Sequence, residues 1–173
     1  MEMDLKSLIG MVPDFPKPGI IFRDIMPLLY NPMGLAEVSG QIVKRWAGKV
    51  DVICALDARG FCFGPLVAQK LWLPFVMVRK KGKLPGKVIR VKYSLEYRDA
   101  DEIEINEGVI SPGDRVLIID DVLATGGTAG AACELVEKAG GTVAGCVFVI
   151  ELTELNGRSR LVGREIQSLT TYD

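Results

Sequence analysis

At 173 residues, 49% hydrophobic and 25% charged, the chain has the size and composition of one globular domain with a real core, which excludes a disordered segment. Its net charge of −1 offers no general affinity for nucleic acid, no apolar run is long enough to span a membrane, and the absence of histidine excludes His-based catalysis and most zinc sites. The four cysteines (Cys54, Cys62, Cys133, Cys146) lie in apolar surroundings at no metal-like spacing, as expected of reduced core thiols in a cytoplasmic protein.

Met3 to Met11 reads as a short amphipathic helix with Asp4 as its N-cap. From Val12 to Ile25, Pro13, Pro16, Pro18 and Gly19 forbid regular helix, and Phe15, Ile21, Phe22 and Ile25 give the loop apolar surface. Such a loop either packs on the core or covers a flat base. Asn31-Pro32 opens a helix in which Leu35, Val38, Ile42, Val43 and Trp46 recur at helical spacing. Val50 to Leu56 is a buried strand that ends in Asp57-Ala58-Arg59-Gly60-Phe61, before a helix from about Phe63 to Leu71. A cation in a strand–loop–helix corner suits an anion at the carboxyl end of a parallel strand; the plainer alternative is an Arg59–Asp57 salt bridge.

Phe75 to Val78 is a third core strand. Arg79 to Lys92 then carries seven cations and no acid, leaving 14 of the 21 cations to face 22 acids elsewhere. Gly82, Pro85 and Gly86 interrupt this run, so it is a loop, and one basic segment on an acidic body reads as a local anion site. Ile89, Val91, Tyr93 and Leu95, then Ile103 and Ile105, alternate with polar residues, as in an antiparallel hairpin exposed on one face.

After a turn at Ser111-Pro112-Gly113-Asp114, Val116 to Ile119 is apolar without alternation, as in a parallel strand covered on both faces. This strand is expected to end at Asp120 and Asp121, because neighbours on a strand point to opposite faces and the two acids can reach one ligand only where the extended backbone has ended. A small-residue loop, Ala124-Thr125-Gly126-Gly127-Thr128, leads into a helix stopped at Gly140-Gly141, and Thr142 to Leu152 gives another core strand. Unpartnered N–H groups at a helix start favour an anion, the glycines allow close approach, and the threonines add hydroxyl donors. Acids beside a phosphate make sense as acceptors for sugar hydroxyls or as outer ligands of a metal. Together they suggest a ribose 5-phosphate group.

Ile118 to Thr128 resembles the signature for 5-phosphoribosyl 1-pyrophosphate (PRPP) in type I phosphoribosyltransferases. Phe15-Pro16-Lys17-Pro18-Gly19-Ile20 with Phe22-Arg23-Asp24-Ile25 resembles the hood of the adenine phosphoribosyltransferase family. That resemblance implies that Ile21, Phe22 and Arg23 hold the purine. By the same resemblance Asp57, Ala58, Arg59, Arg79, Lys80 and Lys83 serve the pyrophosphate. Asp120, Asp121, Ala124, Thr125, Gly126, Gly127 and Thr128 take the ribose phosphate. Tyr93 to Tyr97 is similar to the family's mobile loop, with Glu96 as its acid–base group and Tyr97 on the lid. Three features depart from the family: Met26 replaces a usual Ser or Thr, Arg98 a usual Gly, and Arg90 and Lys92 make the lid unusually basic, which is expected to tighten pyrophosphate binding.

The resemblance implies a single domain over residues 1–173, with a hood at 1–30 and a basic loop and mobile hairpin at 79–106. The fold implied is α/β, a mostly parallel sheet flanked by helices. The implied reaction converts adenine and PRPP to AMP and pyrophosphate for purine salvage, with Glu96 and Arg59 as catalytic residues. Mg²⁺ is expected to come mainly with PRPP, since no compact acid cage is visible, and a cytoplasmic homodimer with no nucleic-acid or membrane partner is implied. The alternatives are transfer to hypoxanthine, guanine or xanthine, and a non-catalytic PRPP-binding regulator.

Overall fold

The computed structural model describes residues 3–95 and 98–173. In chain order the elements are β1 (Gly10–Pro13), β2 (Ile21–Asp24), α1 (Met26–Tyr30), α2 (Pro32–Trp46), β3 (Val52–Leu56), α3 (Gly64–Leu71), β4 (Phe75–Lys80), β5 (Val88–Leu95), β6 (Arg98–Asn106), β7 (Arg115–Leu123), α4 (Gly127–Lys138), β8 (Thr142–Leu152) and β9 (Ile166–Tyr172). Seven strands form one sheet in the order β5-β6-β4-β3-β7-β8-β9. β4, β3, β7, β8 and β9 run parallel, and β5 and β6 add antiparallel at one edge.

Alternation along β3 divides the core. Val52, Cys54 and Leu56 face a cluster with α4 and the β5–β6 hairpin, while Ile53 and Ala55 face one with α2, α3 and the N-terminal segment. Both faces of the central strands are therefore covered, which is why they read as unbroken apolar runs. Trp46 at the end of α2 packs the outer edge of its six-membered ring against Gly145 of β8, where any Cβ would enter the indole, and its Nε1 donates to Gln167 Oε1 at 2.7 Å. Burying a ring of that size contributes about 4–6 kcal/mol.

From β3 the chain crosses to β4 on one side, while β7, β8 and β9 build outward on the other. The sheet thus has its switch point between β3 and β7, and ligands bind at the carboxyl ends of strands at such a point. The β3–β7 ladder stops at Ala55–Ile119, whereas β7 stays paired with β8 as far as Leu123–Glu151. Beyond Ile119 one side of β7 is open, and the cleft begins there.

The structure corrects several expectations. Met3–Met11 is not one helix: a 3-10 turn at Leu5–Leu8, capped by Asp4 on the Lys6 N–H, gives way to β1 because the loop after it returns as β2. β7 does not end at the acids; its pairing with β8 carries the strand through Asp120 and Asp121. The polar face of the β5–β6 hairpin is not simply solvated, since Glu104 on it is fully buried. α1 and β9 are additional elements.

Candidate active site

A cleft of about 610 Å³ opens at the carboxyl ends of β3 and β7. From β3 and the following corner it is lined by Asp57, Ala58 and Arg59; from the end of β4, which runs on into the expected basic loop, by Lys80, and from the loop itself by Lys83; from β7 and its loop by Asp120, Asp121, Ala124 and Thr128. The Asp57–Ala58 peptide bond is cis. Beside the cleft lies a smaller cavity of about 150 Å³ lined by Asp120, by Ala124 to Thr128 and by Ala129. Here α4 begins without a side-chain cap on Gly126, its N-cap residue, so first-turn N–H groups meet the cavity with the positive end of the helix dipole behind them.

The shape of this phosphate-sized cavity depends on two glycines. Gly126 has φ 80° and lies against the Gly157 carbonyl oxygen. Gly157 in turn lies against the Ala124 carbonyl oxygen. Two backbones therefore touch with no room for a side chain on either, and the second glycine, from the 3-10 turn Gly157–Arg160, supports the loop from outside the motif.

Arg59 does not pair with Asp57. Its Nε lies 2.5 Å from Asp121 Oδ2, which is buried and off the line that a hydrogen bond needs. Asp57 instead takes Arg79 Nε at 3.1 Å and Lys83 Nζ at 3.3 Å. Burial alone would raise the Asp57 pKa, but donation from Arg79, the Lys80 N–H and Lys83 holds it below the usual value. Asp120 behaves oppositely. Burial, and then the Asp121 carboxylate beside it, push its pKa well above the usual carboxylate range. An ionised Asp120 therefore calls for donors or positive charge from a ligand.

Of the other residues singled out in the sequence, Phe22 reaches the site: its ring centroid is 5.3 Å from Arg59 Cζ. Ile21 and Arg23 do not line the cleft; Arg23 stacks on Tyr172, 4.0 Å from the ring centroid. Arg79 lies behind the lining, on Asp57. Glu96 and Tyr97 fall outside the described residues. Arg90 and Lys92 point to acids, Arg90 Nε to Glu104 at 2.7 Å and Lys92 Nζ to Glu102 at 3.5 Å, and neither lines the cleft. Sequence reading gave no site role to Tyr93 or Asp101, which line the cleft, with the Tyr93 hydroxyl 3.4 Å from both Thr128 Oγ1 and Asp101 Oδ2. Their signal, a tyrosine and an acid on facing strands, is indistinguishable from an exposed hairpin pair.

Residues 29–166 match the family model of the phosphoribosyl transferase domain. An adenine phosphoribosyltransferase of Clostridium perfringens is 51% identical over 172 residues, 99% of each chain. The chain belongs to the adenine phosphoribosyltransferase family. The crystal structure of the Thermoanaerobacter pseudethanolicus member superposes with a TM-score of 0.93 at 44% identity, covering 97% of this chain and 98% of that one. The Saccharomyces cerevisiae member, solved with an imino-altritol bisphosphate and adenine, gives 0.89 at 39% identity, covering 95% and 96%. The type I phosphoribosyltransferase fold is thus established for this chain.

Members of the phosphoribosyltransferase family generally use Mg²⁺ with PRPP. Among the described residues no group of three or more acids, cysteines or histidines could cage a metal. Asp121 Oδ2 is already paired with Arg59, and Asp120 beside it lines the cleft as the nearer carboxylate for a cation that arrives with substrate. The donor set fits an ion that enters with substrate oxygens and water around it.

Proposed function

We propose that this chain transfers the 5-phosphoribosyl group of PRPP to N9 of adenine, giving AMP and pyrophosphate, and so salvages the purine as a cytoplasmic homodimer. The observation that carries the reading is the opening of the sheet beyond Ile119, which gathers the paired acids, the uncapped helix start and the cations of two loops around one cleft.

In this reading the N–H groups and hydroxyls of Ala124 to Thr128 hold the 5-phosphate, and Asp120 and Asp121 accept hydrogen bonds from the ribose hydroxyls. As the C1–O bond breaks, its electron pair leaves with pyrophosphate and positive charge builds on the ribose. The two carboxylates stabilise that charge. Arg59, Lys80 and Lys83 meet the departing anion, and Asp57, Ala58 and Arg79 hold the framework around it. Placed charges of this kind are each worth roughly 3–4 kcal/mol of barrier. Mg²⁺ brought in with PRPP would add positive charge to neutralise the leaving group, with the acids of the cleft as its outer partners.

The hood residues Ile21, Phe22 and Arg23 cover the purine, with Phe22 joined to the cleft through Arg59. As N9 bonds to C1, Glu96 of the lid that carries Tyr97 hydrogen-bonds the imidazole edge and accepts the proton that the ring gives up. The deciding experiment mixes the protein with PRPP, Mg²⁺ and adenine and measures AMP, with hypoxanthine, guanine and xanthine in competition. Absence of AMP, or preference for a 6-oxopurine, overturns the reading. Replacing Glu96→Gln is expected to cut turnover far more than PRPP affinity; unchanged turnover removes Glu96 from the chemistry.

A further inference from the structure

Glu104 is a carboxylate with no exposed surface in a hairpin whose pattern predicts an exposed polar face. Charges are rarely buried this completely unless they are paired and hydrogen-bonded. Its Oε1 accepts the backbone N–H groups of Lys83 and Leu84, both at 3.1 Å, and its Oε2 accepts from Arg90 Nε at 2.7 Å. The neighbours on the same face of β6 grip the same loop. The Glu102 carbonyl accepts from the Lys81 N–H, its carboxylate pairs with Lys81 Nζ at 3.1 Å, and Asn106 Nδ2 donates to the Pro85 carbonyl at 2.7 Å. Residues 102, 104 and 106 thus fasten residues 81 to 85 to the sheet, and Lys83, in the middle, presents its side chain to the cleft.

We propose that Glu104 is a positioning residue for the pyrophosphate end of PRPP, holding the basic loop by two backbone N–H groups so that Lys83 faces the cleft. This rests on the reading of Lys80 and Lys83 as pyrophosphate ligands. Glu104 itself touches no reacting atom. Its partner Arg90 occupies the oxygen that the loop leaves over, so the cation that makes the lid basic serves the loop's anchor and not the anion.

Glu104→Gln keeps the shape but sets an amide NH₂ against one of the donors. It is expected to raise the KM for PRPP at least fivefold while the KM for adenine and kcat stay within twofold. Arg90→Met removes the competing donor; alone it leaves a fully buried carboxylate without its cation and is expected to lower Tm, whereas added to Glu104→Gln, which removes that charge, it is expected to bring the PRPP KM back toward wild type. A PRPP KM unmoved by Glu104→Gln, or both KM values rising by one factor, overturns the proposal and leaves Glu104 with a structural role only. Amide hydrogen exchange of the unaltered protein reads the anchor without any variant: Lys83 and Leu84 are expected to exchange more slowly than Gly82 and Gly86, and equally fast exchange refutes the hold. If Lys83→Ala leaves the PRPP KM unchanged, the pyrophosphate reading has failed instead, whatever the exchange rates.

Discussion

Gly157→Ala adds one methyl group outside every motif that marks the site. Its Cβ would strike the Ala124 carbonyl oxygen and come within 2.9 Å and 3.0 Å of Leu123 Cδ1 and Cγ. Leu123 is fully buried at the end of β7, so it has little room to yield. Clearing the oxygen needs a shift on the order of 1 Å in the phosphate loop, and a displacement of that size in a positioning element costs on the order of 100-fold in rate. Overpacking of this kind destabilises by about 1–3 kcal/mol, or about 2–12 °C in Tm for a domain of this length. The assay is kcat/KM for PRPP alongside thermal unfolding. Gly40→Ala in α2, where a new Cβ meets nothing within 4 Å, serves as the control and is expected to keep full activity. Wild-type kcat/KM in Gly157→Ala would refute the claim that this backbone contact sets the loop, even if Tm falls.

Asp120→Asn removes the repulsion from Asp121 yet leaves an oxygen for the Asp121 N–H, so Tm is expected to rise at neutral pH while AMP formation falls about 10- to 100-fold with loss of a charged acceptor; a lower Tm would contradict the strained pair. Tyr172→Ala unseats Arg23 and is expected to raise the KM for adenine severalfold with the PRPP KM unchanged, whereas Tyr172→Phe keeps the ring and the wild-type values. Equal effects of the two variants would end that reading. Asp57 and Glu104 have folded-state pKa values below their ordinary ones, so their contribution to stability is present above the unfolded values, at about pH 4–4.5, and is lost as pH falls through the lowered ones. Acid unfolding is expected to begin below about pH 4 and to move to higher pH in Asp57→Asn; an unmoved midpoint would show that the pairing adds nothing. Asp120 has the opposite sign: its carboxylate is lost at higher pH than usual, so activity is expected to decline on the acid side before the fold does.

What could be read from the chain was what local pattern determines. β3, β7 and β8 are buried on both faces and appear as apolar runs; α2 carries its cap and stripe; the loop from Ala124 to Thr128 announces itself by composition. β9 escaped because Ile166–Tyr172 is a half-exposed edge strand with threonine, serine and glutamine along it, and only its ladder with β8 defines it. The partners of charged residues were not legible either. Arg59 sits two residues from Asp57 in sequence, yet it pairs with Asp121 across the switch point. Glu104 looked like any alternating strand acid until the loop folded over it. Gly157 lies 31 positions beyond Gly126, and nothing local says that the two backbones meet.

Six of the seven cations between Arg79 and Lys92, and Arg59 as well, already rest on acids of the chain itself. The protein therefore carries its own counter-ions into the reaction. When a phosphorylated sugar arrives, ion pairs are traded rather than created, and few dissolved ions are released. Affinity for it should consequently weaken only gently with ionic strength, far less than a naked cluster of seven positive charges would suggest.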